Sequence, residues 1–276
     1  MKSLRINRSD SDVSKLVRTL RNDAKKKEEF FDYIISGPIL EIGCGSGQVL
    51  KKISRAFPHA KLYGLDADPR LIKIAKRKHI PNCTFFHSLA QNSIILPAAV
   101  RNVIFPASLH EIVSFSNKDD ISQLFRNVHS YLARDGVVII WEGIRSDYGN
   151  VTISNSPTIP QLLSFAKKFE YKKYFWKKSN DSQYSVSFDL LAEYVTKKDR
   201  LDIPMEYKET HFPLSQSEYE SLLRSTGFEI VVLNNKPLHQ KELQWLYKNF
   251  KFEKDISNVP VYTLIVAKKS RSINPL

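Results

Sequence analysis

The stretch Ile39-Leu40-Glu41-Ile42-Gly43-Cys44-Gly45-Ser46-Gly47 decides the fold. Its first half is an apolar run interrupted by one carboxylate, short enough for a buried strand. Its second half alternates glycine with small residues, so the backbone can turn tightly and approach a ligand without a Cβ in the way. Gln48–Phe57 then reads as a helix, whose first N–H groups would point at a carboxylate or phosphate. Strand, glycine turn and helix in that order form the context such a loop requires. A nicotinamide-dinucleotide fingerprint would read G-x-G-x-x-G. Here the third glycine falls one residue early, at Gly47, and Gln48 holds the expected place.

Outward from that loop, apolar runs alternate with amphipathic segments. Lys61–Leu65 reads as a second strand, with Asp66 at its end. Asp68-Pro69 is an N-cap followed by proline at the first helical position, opening a helix to about His79. Cys83–His87 and Asn102–Ala107 read as the third and fourth strands. Asp119 and Asp120 sit in the first turn of a helix whose buried face is Ile121, Leu124, Phe125, Val128 and Leu132. Gly136 is expected to end it, before a fifth strand at Val137–Trp141. Strands alternating with helices imply a parallel sheet with right-handed crossovers. After Trp141 the alternation breaks. Residues 145–210 read as an inserted helical lid that closes over the sheet edge and sets substrate choice; FDLLAEYVTKK is a second helix within it. Ser215-Gln216-Ser217-Glu218 is a capping box, and the helix it opens stops at Gly227. Glu229–Leu233 and Pro260–Ala267 complete a seven-stranded sheet, with a surface helix at His239–Phe250 between them. The expected organisation is an N-terminal helical segment (1–36), an α/β core (37–144), the lid (145–210) and a C-terminal part of the core sheet (211–276).

Glu41, two residues before the first glycine, turns the loop into E-x-G-x-G-x-G. This resembles motif I of the class I, Rossmann-like S-adenosylmethionine-dependent methyltransferases. The resemblance runs with good spacing from Pro38 to Gly143, and more loosely from Ser215 to Ala267. It implies S-adenosyl-L-methionine as cofactor, held by Glu41, Gly43, Cys44, Gly45 and Gly47. Asp66 stands 21 residues after Gly45, where a strand-end carboxylate accepts hydrogen bonds from both ribose hydroxyls; Ala67 follows it into the site. Many members carry an Asp after the third strand for the adenine amine. This chain has His87-Ser88-Leu89-Ala90-Gln91 there, so the backbone around Leu89 and Ala90, or the side chains of Ser88 or Gln91, would hold adenine instead.

The fourth strand runs into Pro106-Ala107-Ser108-Leu109-His110-Glu111. In the family this loop lies beside donor and acceptor, which puts Ala107 against the cofactor and makes His110 and Glu111 candidate acid–base or substrate-orienting groups. Either could equally be structural, His110 as a hydrogen-bonded residue and Glu111 as a helix-start carboxylate. The D/N-P-P-Y/F signature of many base-amino methyltransferases is absent from this loop, which argues against adenine-N6 or cytosine-N4 chemistry.

Lys and Arg number 42 against 29 Asp and Glu, a net charge of +13. Residues 1–30 hold nine basic against five acidic side chains, and residues 165–178 six against one. Such concentration could attract nucleic acid, anionic lipid or a phosphorylated ligand, or be a solvated face. The lysine pairs 167/168, 172/173 and 177/178 recur every five residues, which wraps charge around the segment and leaves no single helical stripe. Phe165 and Phe169, four apart, are expected to pack on a core. Cys44 and Cys83 have no metal-site spacing, no disulfide framework and no place as nucleophiles; together with the lack of an apolar leader they suggest a cytoplasmic protein. No run approaches the roughly 20 apolar residues of a membrane span. The leading expectation is methyl transfer to O or N of a small-molecule acceptor. RNA or protein methylation and a cofactor-binding regulatory module without turnover are the alternatives. Neither the acceptor nor the oligomeric state is legible.

Overall fold

A strand that is apolar at consecutive positions needs cover on both faces. Ile39–Ile42, here β1, is buried at all four residues. It sits inside a sheet whose strands run in the order Phe228–Pro237, Pro260–Lys269, Leu132–Arg145, Val100–Pro106, Ile39–Ile42, Leu62–Asp66 and Cys83–His87. In chain order the first elements are β1, α1 (Gln48–Ala56), β2 (Leu62–Asp66), α2 (Pro69–Lys76), β3 (Cys83–His87), β4 (Val100–Pro106), α3 (Leu109–Phe115), α4 (Lys118–Tyr131) and β5 (Leu132–Arg145). The remainder are β6 (Asn150–Ser154), α5 (Ile159–Lys168), β7 (Trp176–Asn180), β8 (Gln183–Ser187), α6 (Phe188–Lys197), β9 (Leu214–Ser215), α7 (Gln216–Ser225), β10 (Phe228–Pro237), α8 (Gln240–Asn249) and β11 (Pro260–Lys269). The structure, a computed structural model, describes residues 9, 12–15, 17, 29–92, 95, 97–154 and 156–270. Most of the expected N-terminal segment 1–36 and its basic cluster lie outside the described residues.

The chain forms two compact units, Met1–Glu142 with Ser217–Asn234 and Leu264–Leu276, and Gly143–Gln216 with Asn235–Thr263. In the first, β1 runs parallel to both β2 and β4, β2 parallel to β3, and β4 parallel to β5. The chain therefore leaves β1 toward one side of the sheet and returns to the other side through β4. This switch point is where open α/β sheets bind ligands, beyond the carboxyl ends of their strands. Ile39, Leu50, Ile53, Leu62, Ile72, Phe85, Ile104 and Ile139 form one buried cluster. Neighbouring strand residues point to opposite faces, and Phe105, next to Ile104, stacks on Phe125 of α4 at 5.6 Å between centroids. Each such side chain contributes about 1.5–3 kcal/mol on burial.

Local signals act as the sequence reads. Asp68 caps α2 by accepting the Arg70 N–H at 2.9 Å. Asn117 and Asp120 form a capping box that starts α4. Helix α4 stops earlier than expected, at Tyr131. Leu132 is already extended and pairs with Val100 as the first residue of β5. Gly136 is thus a strand residue. A Cβ there would stand 2.8 Å from Leu132 Cδ2 and 3.1 Å from two backbone oxygens, so close approach, and not helix termination, demands glycine.

The second unit differs from the expected helical insertion. It contains a three-stranded antiparallel sheet, β6-β8-β7, besides α5, α6 and α8, and it takes in residues 235–263 as well. The lysine pairs do not share one helix: 167/168 end α5, 172/173 lie in the connection, and 177/178 are on β7. Phe165 and Phe169 are buried, 5.2 Å apart, within a cluster that includes Leu162, Phe188, Leu191, Tyr194 and Leu246. Helix α8 is a surface helix, as expected, and buries Leu246 in that same cluster.

Under it lies a polar core. Lys197, with no exposed surface, donates to the Glu206 and Glu209 carbonyls at 2.7 and 2.6 Å. Its Nζ is 3.6 Å from the Glu193 carboxylate. Burial pushes Glu206 up, but His211, Arg200 and Lys197 overcome that and hold it at about 2. Burial, aided by the Lys197 charge, pushes His211 well below the usual imidazole range. Both shifts act in one direction. As pH falls through about 6.5 an unfolded His211 takes up a proton that the folded one refuses, and below about 4.5 the same holds for Glu206. The thermal midpoint read by tryptophan fluorescence, with Trp176 and Trp245 in this unit, is expected to fall from about pH 6.5 downward. His211→Gln should remove the upper part of that fall. A flat midpoint between pH 7 and 5 would contradict this account.

Candidate active site

The glycine turn follows β1 because nothing larger fits there. Gly43 has φ +75°, and a Cβ on it would stand 2.4 Å from the Ser108 Cβ. Ser108 Oγ in turn donates to the Ile42 carbonyl at 2.6 Å, tying the end of β1 to the turn after β4. Gly43 and Cys44 donate their N–H groups to the Leu65 carbonyl at 2.8 and 2.9 Å. Gly47 is the N-cap position of α1, in the left-handed conformation. The Asp66 carboxylate then accepts the Gly45 N–H and the Asp68 N–H, both at 2.8 Å. One side chain thereby fixes the glycine turn and the β2–α2 turn together. Glu41, on β1, is buried at 2% exposure.

The remaining expected cofactor residues gather along the same edge. Ser88 donates its N–H to the Asp66 carbonyl at 3.1 Å. Its hydroxyl faces the Leu89 carbonyl at 3.3 Å and accepts from Asn92 at 3.2 Å. The His87 ring lies 3.2 Å from the Ala67 carbonyl. Ala90 is buried, and Asn127 of α4 holds the next carbonyl, that of Gln91, at 2.7 Å. Ala107 has φ +54°, a strained choice for a residue with a side chain. Its N–H donates to the Trp141 carbonyl at 2.6 Å, which holds the strain.

His110 and Glu111 fall in the first turn of α3 and not in a loop. The His110 Nδ1 stands 2.9 Å from Glu142 Oε1, and the His110 backbone N–H donates to Glu142 Oε2 at 3.0 Å. Glu142 is 2% exposed and His110 13%. Which ring nitrogen carries the proton sets the donor and acceptor roles in this contact. Glu142 was not singled out by the sequence reading, although it has a signal: a charged residue closing the apolar run Val137–Trp141. Ser108, the brace of the glycine turn, carries no such signal.

Cys44 is not equipped as a nucleophile. Burial, then the charges of Asp66 and Glu41, raise its thiol well above the usual range. Burial and Glu41 push Cys83 up to about 12.

A protein-family profile described as "Methyltransferase domain" matches residues 39–136. Among curated proteins, the chain is 29% identical to malonyl-[acyl-carrier protein] O-methyltransferase 1 of Ilyobacter polytropus, over 48% of this chain and 47% of that one. The chain thus spans about half the length of the curated relatives it matches. A S-adenosylmethionine-dependent methyltransferase from Methanosarcina mazei has a similar structure: TM-score 0.52, 15% identity, 88% of this chain and 98% of the other. So does geranyl diphosphate C-methyltransferase of Streptomyces coelicolor A3(2), solved with S-adenosyl-L-homocysteine: TM-score 0.55, 12% identity, 97% and 89% coverage. At such identities the structures speak for the fold.

Both thiols should stay protonated, and so slow to alkylate, at pH 8. Iodoacetamide with mass detection is expected to leave the folded chain unmodified within minutes and to add two groups after denaturation. Rapid alkylation of the native chain at Cys44, located by peptide mapping, would contradict its burial.

Proposed function

We propose that this chain, whose residues 39–136 match a methyltransferase-domain family, is a class I S-adenosylmethionine-dependent methyltransferase that moves the methyl group of that cofactor onto an oxygen or nitrogen atom of a small-molecule acceptor. The carrying observation is the double use of Asp66, whose carboxylate holds the glycine turn from the end of the neighbouring strand. The turn, the strand-end carboxylate and the His87–Gln91 segment offer the donors and acceptors that an amino acid joined to a nucleoside requires.

Bound S-adenosylmethionine supplies a methyl group already activated by its sulfonium. What the chain must add is position. Glu41, Gly43, Cys44, Gly45 and Gly47 hold the amino-acid end, Asp66 and Ala67 the ribose, and Ser88, Leu89 and Ala90 the base. Ala107 closes the site next to His110 and Glu111, which face the acceptor. Alignment of donor and acceptor at near-attack distance is worth on the order of 7–11 kcal/mol.

The lysines of residues 165–178 favour a small acceptor over RNA. Lys172 is 3.3 Å from Asp189, Lys178 is 2.8 Å from Asp181, and Lys167 lies over the Trp176 ring. Charges used inside one unit form a poor phosphate footprint. A second reading follows from the relatives' name: an acyl group on a carrier protein as acceptor.

Calorimetry is expected to show binding of S-adenosylmethionine and S-adenosylhomocysteine and none of NAD. Asp66→Ala should weaken both by about 1.5–3 kcal/mol, the loss of charge-assisted hydrogen bonds, or roughly 10- to 150-fold in Kd. An unchanged Kd removes Asp66 from the site. Tight cofactor binding with no S-adenosylhomocysteine formed in the presence of cell extract would favour a regulatory module without turnover. Transfer to RNA that collapses between 50 and 200 mM salt would overturn the small-molecule reading.

A further inference from the structure

Helices α1 and α2 pack side by side in the first unit. Both bury their inner residues in the same cluster, Val49, Leu50 and Ile53 from α1 and Ile72 and Ala75 from α2. A Cβ on Gly47, at the start of α1, would lie 3.3 Å from that of Ala75. Asn82, after α2, donates its side-chain N–H to the carbonyl of Pro58, after α1, at 3.2 Å. The outer surface of this pair is strongly positive. Residues 48–82 hold nine Lys and Arg against two Asp. Both carboxylates are engaged within the fold: Asp66 holds the glycine turn, and Asp68 caps α2 and pairs with Arg70 at 2.8 Å. Lys51, Arg55, Lys61, Lys73, Lys76 and Arg77 are exposed, and none of them pairs with a carboxylate among the described residues.

The fold does not need so many cations. One or two in the last turn of a helix complement its dipole, as Arg55 does in α1 and Lys73 and Lys76 do in α2. Beyond that they repel. Lys51 and Arg55 stand four residues apart, as do Lys73 and Arg77, with Lys76 between the latter two, and like charges at that spacing on a helix destabilise it. A partner of opposite charge would relieve this repulsion.

The same face has an apolar recess. An open hollow of about 480 Å³ runs along α2, lined by Pro69, Ile72, Lys73, Lys76, Arg77 and His79. Its walls are mostly apolar although most of its residues are basic, because Lys and Arg lay their aliphatic stems along a surface and hold their charges at its edge. An apolar floor inside a charged rim is the layout of a protein–protein contact. A single-stranded nucleic acid calls instead for exposed rings on which bases stack, and a membrane surface for protruding apolar side chains. The exposed large hydrophobic residues among those described, Tyr148, Phe175, Val231 and Tyr247, all lie outside α1 and α2.

We infer that this face docks an acidic helix of a partner protein, with one apolar side chain of that helix in the hollow and its carboxylates against Lys73, Lys76 and Arg77. The spacing suits a helix. Cations three and four residues apart on α2 stand about 5–6 Å from one another, the interval at which a partner helix presents its own carboxylates. Lys51, Arg55 and Lys61 extend the positive field around the contact and steer the partner toward it. Lys78 is not part of the surface, because its Nζ donates to the Ser46 hydroxyl at 3.2 Å and supports the glycine turn. The docking goes beyond the methyl-transfer reading and holds whichever acceptor is methylated.

The probe is a fluorescein-labelled peptide of glutamate, alanine and leucine, about 18 residues long so that it holds a helix, with its leucines along one edge. Its anisotropy against the full chain is expected to show saturable binding at low salt. A peptide of the same composition with scattered leucines should bind about 10-fold more weakly, since no leucine then enters the hollow without misplacing the carboxylates. Lys73→Glu, Lys76→Glu and Arg77→Glu together should weaken the first peptide by roughly 10- to 100-fold. Lys208→Glu, Lys241→Glu and Lys248→Glu together, at exposed lysines of the second unit, should change it by no more than about twofold. Circular dichroism of both variants should match the wild type. If charge reversal on α2 unfolds the chain, the comparison of the two peptides on the wild type decides alone. No saturable binding, equal affinity for the two peptides, or equal loss in the two folded variants would each overturn the proposal. So would tighter binding of an oligouridylate of equal charge, or of phosphatidylglycerol vesicles, than of the first peptide.

Discussion

The Asp66 carboxylate accepts one backbone N–H from Gly45, across the β1–β2 edge, and another from Asp68, two residues on, each at 2.8 Å. The site follows from that pair of bonds. The Gly43–Gly47 turn leaves backbone N–H groups at the end of a buried strand, where each must find a partner. Leu65 and Asp66 supply those partners from the next strand, so the turn is set before any ligand arrives. A preset turn lets binding free energy go into holding the ligand, with less lost to ordering the loop. It also explains why the β1–α1 and β2–α2 connections are short and end in residues with special backbone needs: Gly43 at φ +75° and Asp68 as a helix cap.

A second carboxylate does the same on the other side of the switch point. Glu142, near the end of β5, holds with its carboxylate both the His110 backbone N–H in the first turn of α3 and the His110 ring. Ala107, held at φ +54° by the Trp141 carbonyl, and Ser108, bonded to the Ile42 carbonyl, link the two halves. The edge of the sheet thus carries two braced turns, one at Gly43–Gly47 and one at Ala107–His110. The buried Cys44 thiol and the half-buried Cys83 thiol lie near carboxylates, the wrong sign of charge for nucleophilic work.

The α/β core was legible because its signals are local. β1 and β3 lie within a residue of where alternation and turn residues put them, the cap at Asp68 starts α2, and Asp119 and Asp120 stand in the first turn of α4, while its actual cap is Asn117, which the sequence reading does not pick out. Gly136 misled because a glycine needed for close approach looks the same in sequence as one that ends a helix. Glu142 escaped because its partner, His110, is 32 residues away. The segment 145–210 read as helical because α5 and α6 are amphipathic. Strand β7 is short, polar and mostly exposed, and β8 is short and half-buried around Val186; they stand by pairing with each other, and β8 with β6. No helix among the described residues is long and apolar enough to cross a membrane. The acceptor has no motif in the sequence.

The central claim is that one turn and one strand-end carboxylate hold a methyl donor beside His110. A crystal structure of the chain with S-adenosylhomocysteine tests it most directly. The account predicts the ribose hydroxyls within hydrogen-bond distance of Asp66, the amino-acid end against the Gly43–Gly47 turn, and the thioether sulfur on the His110 side of that turn. Cofactor bound away from Asp66, or with its sulfur pointing toward β3 and away from His110, would contradict it.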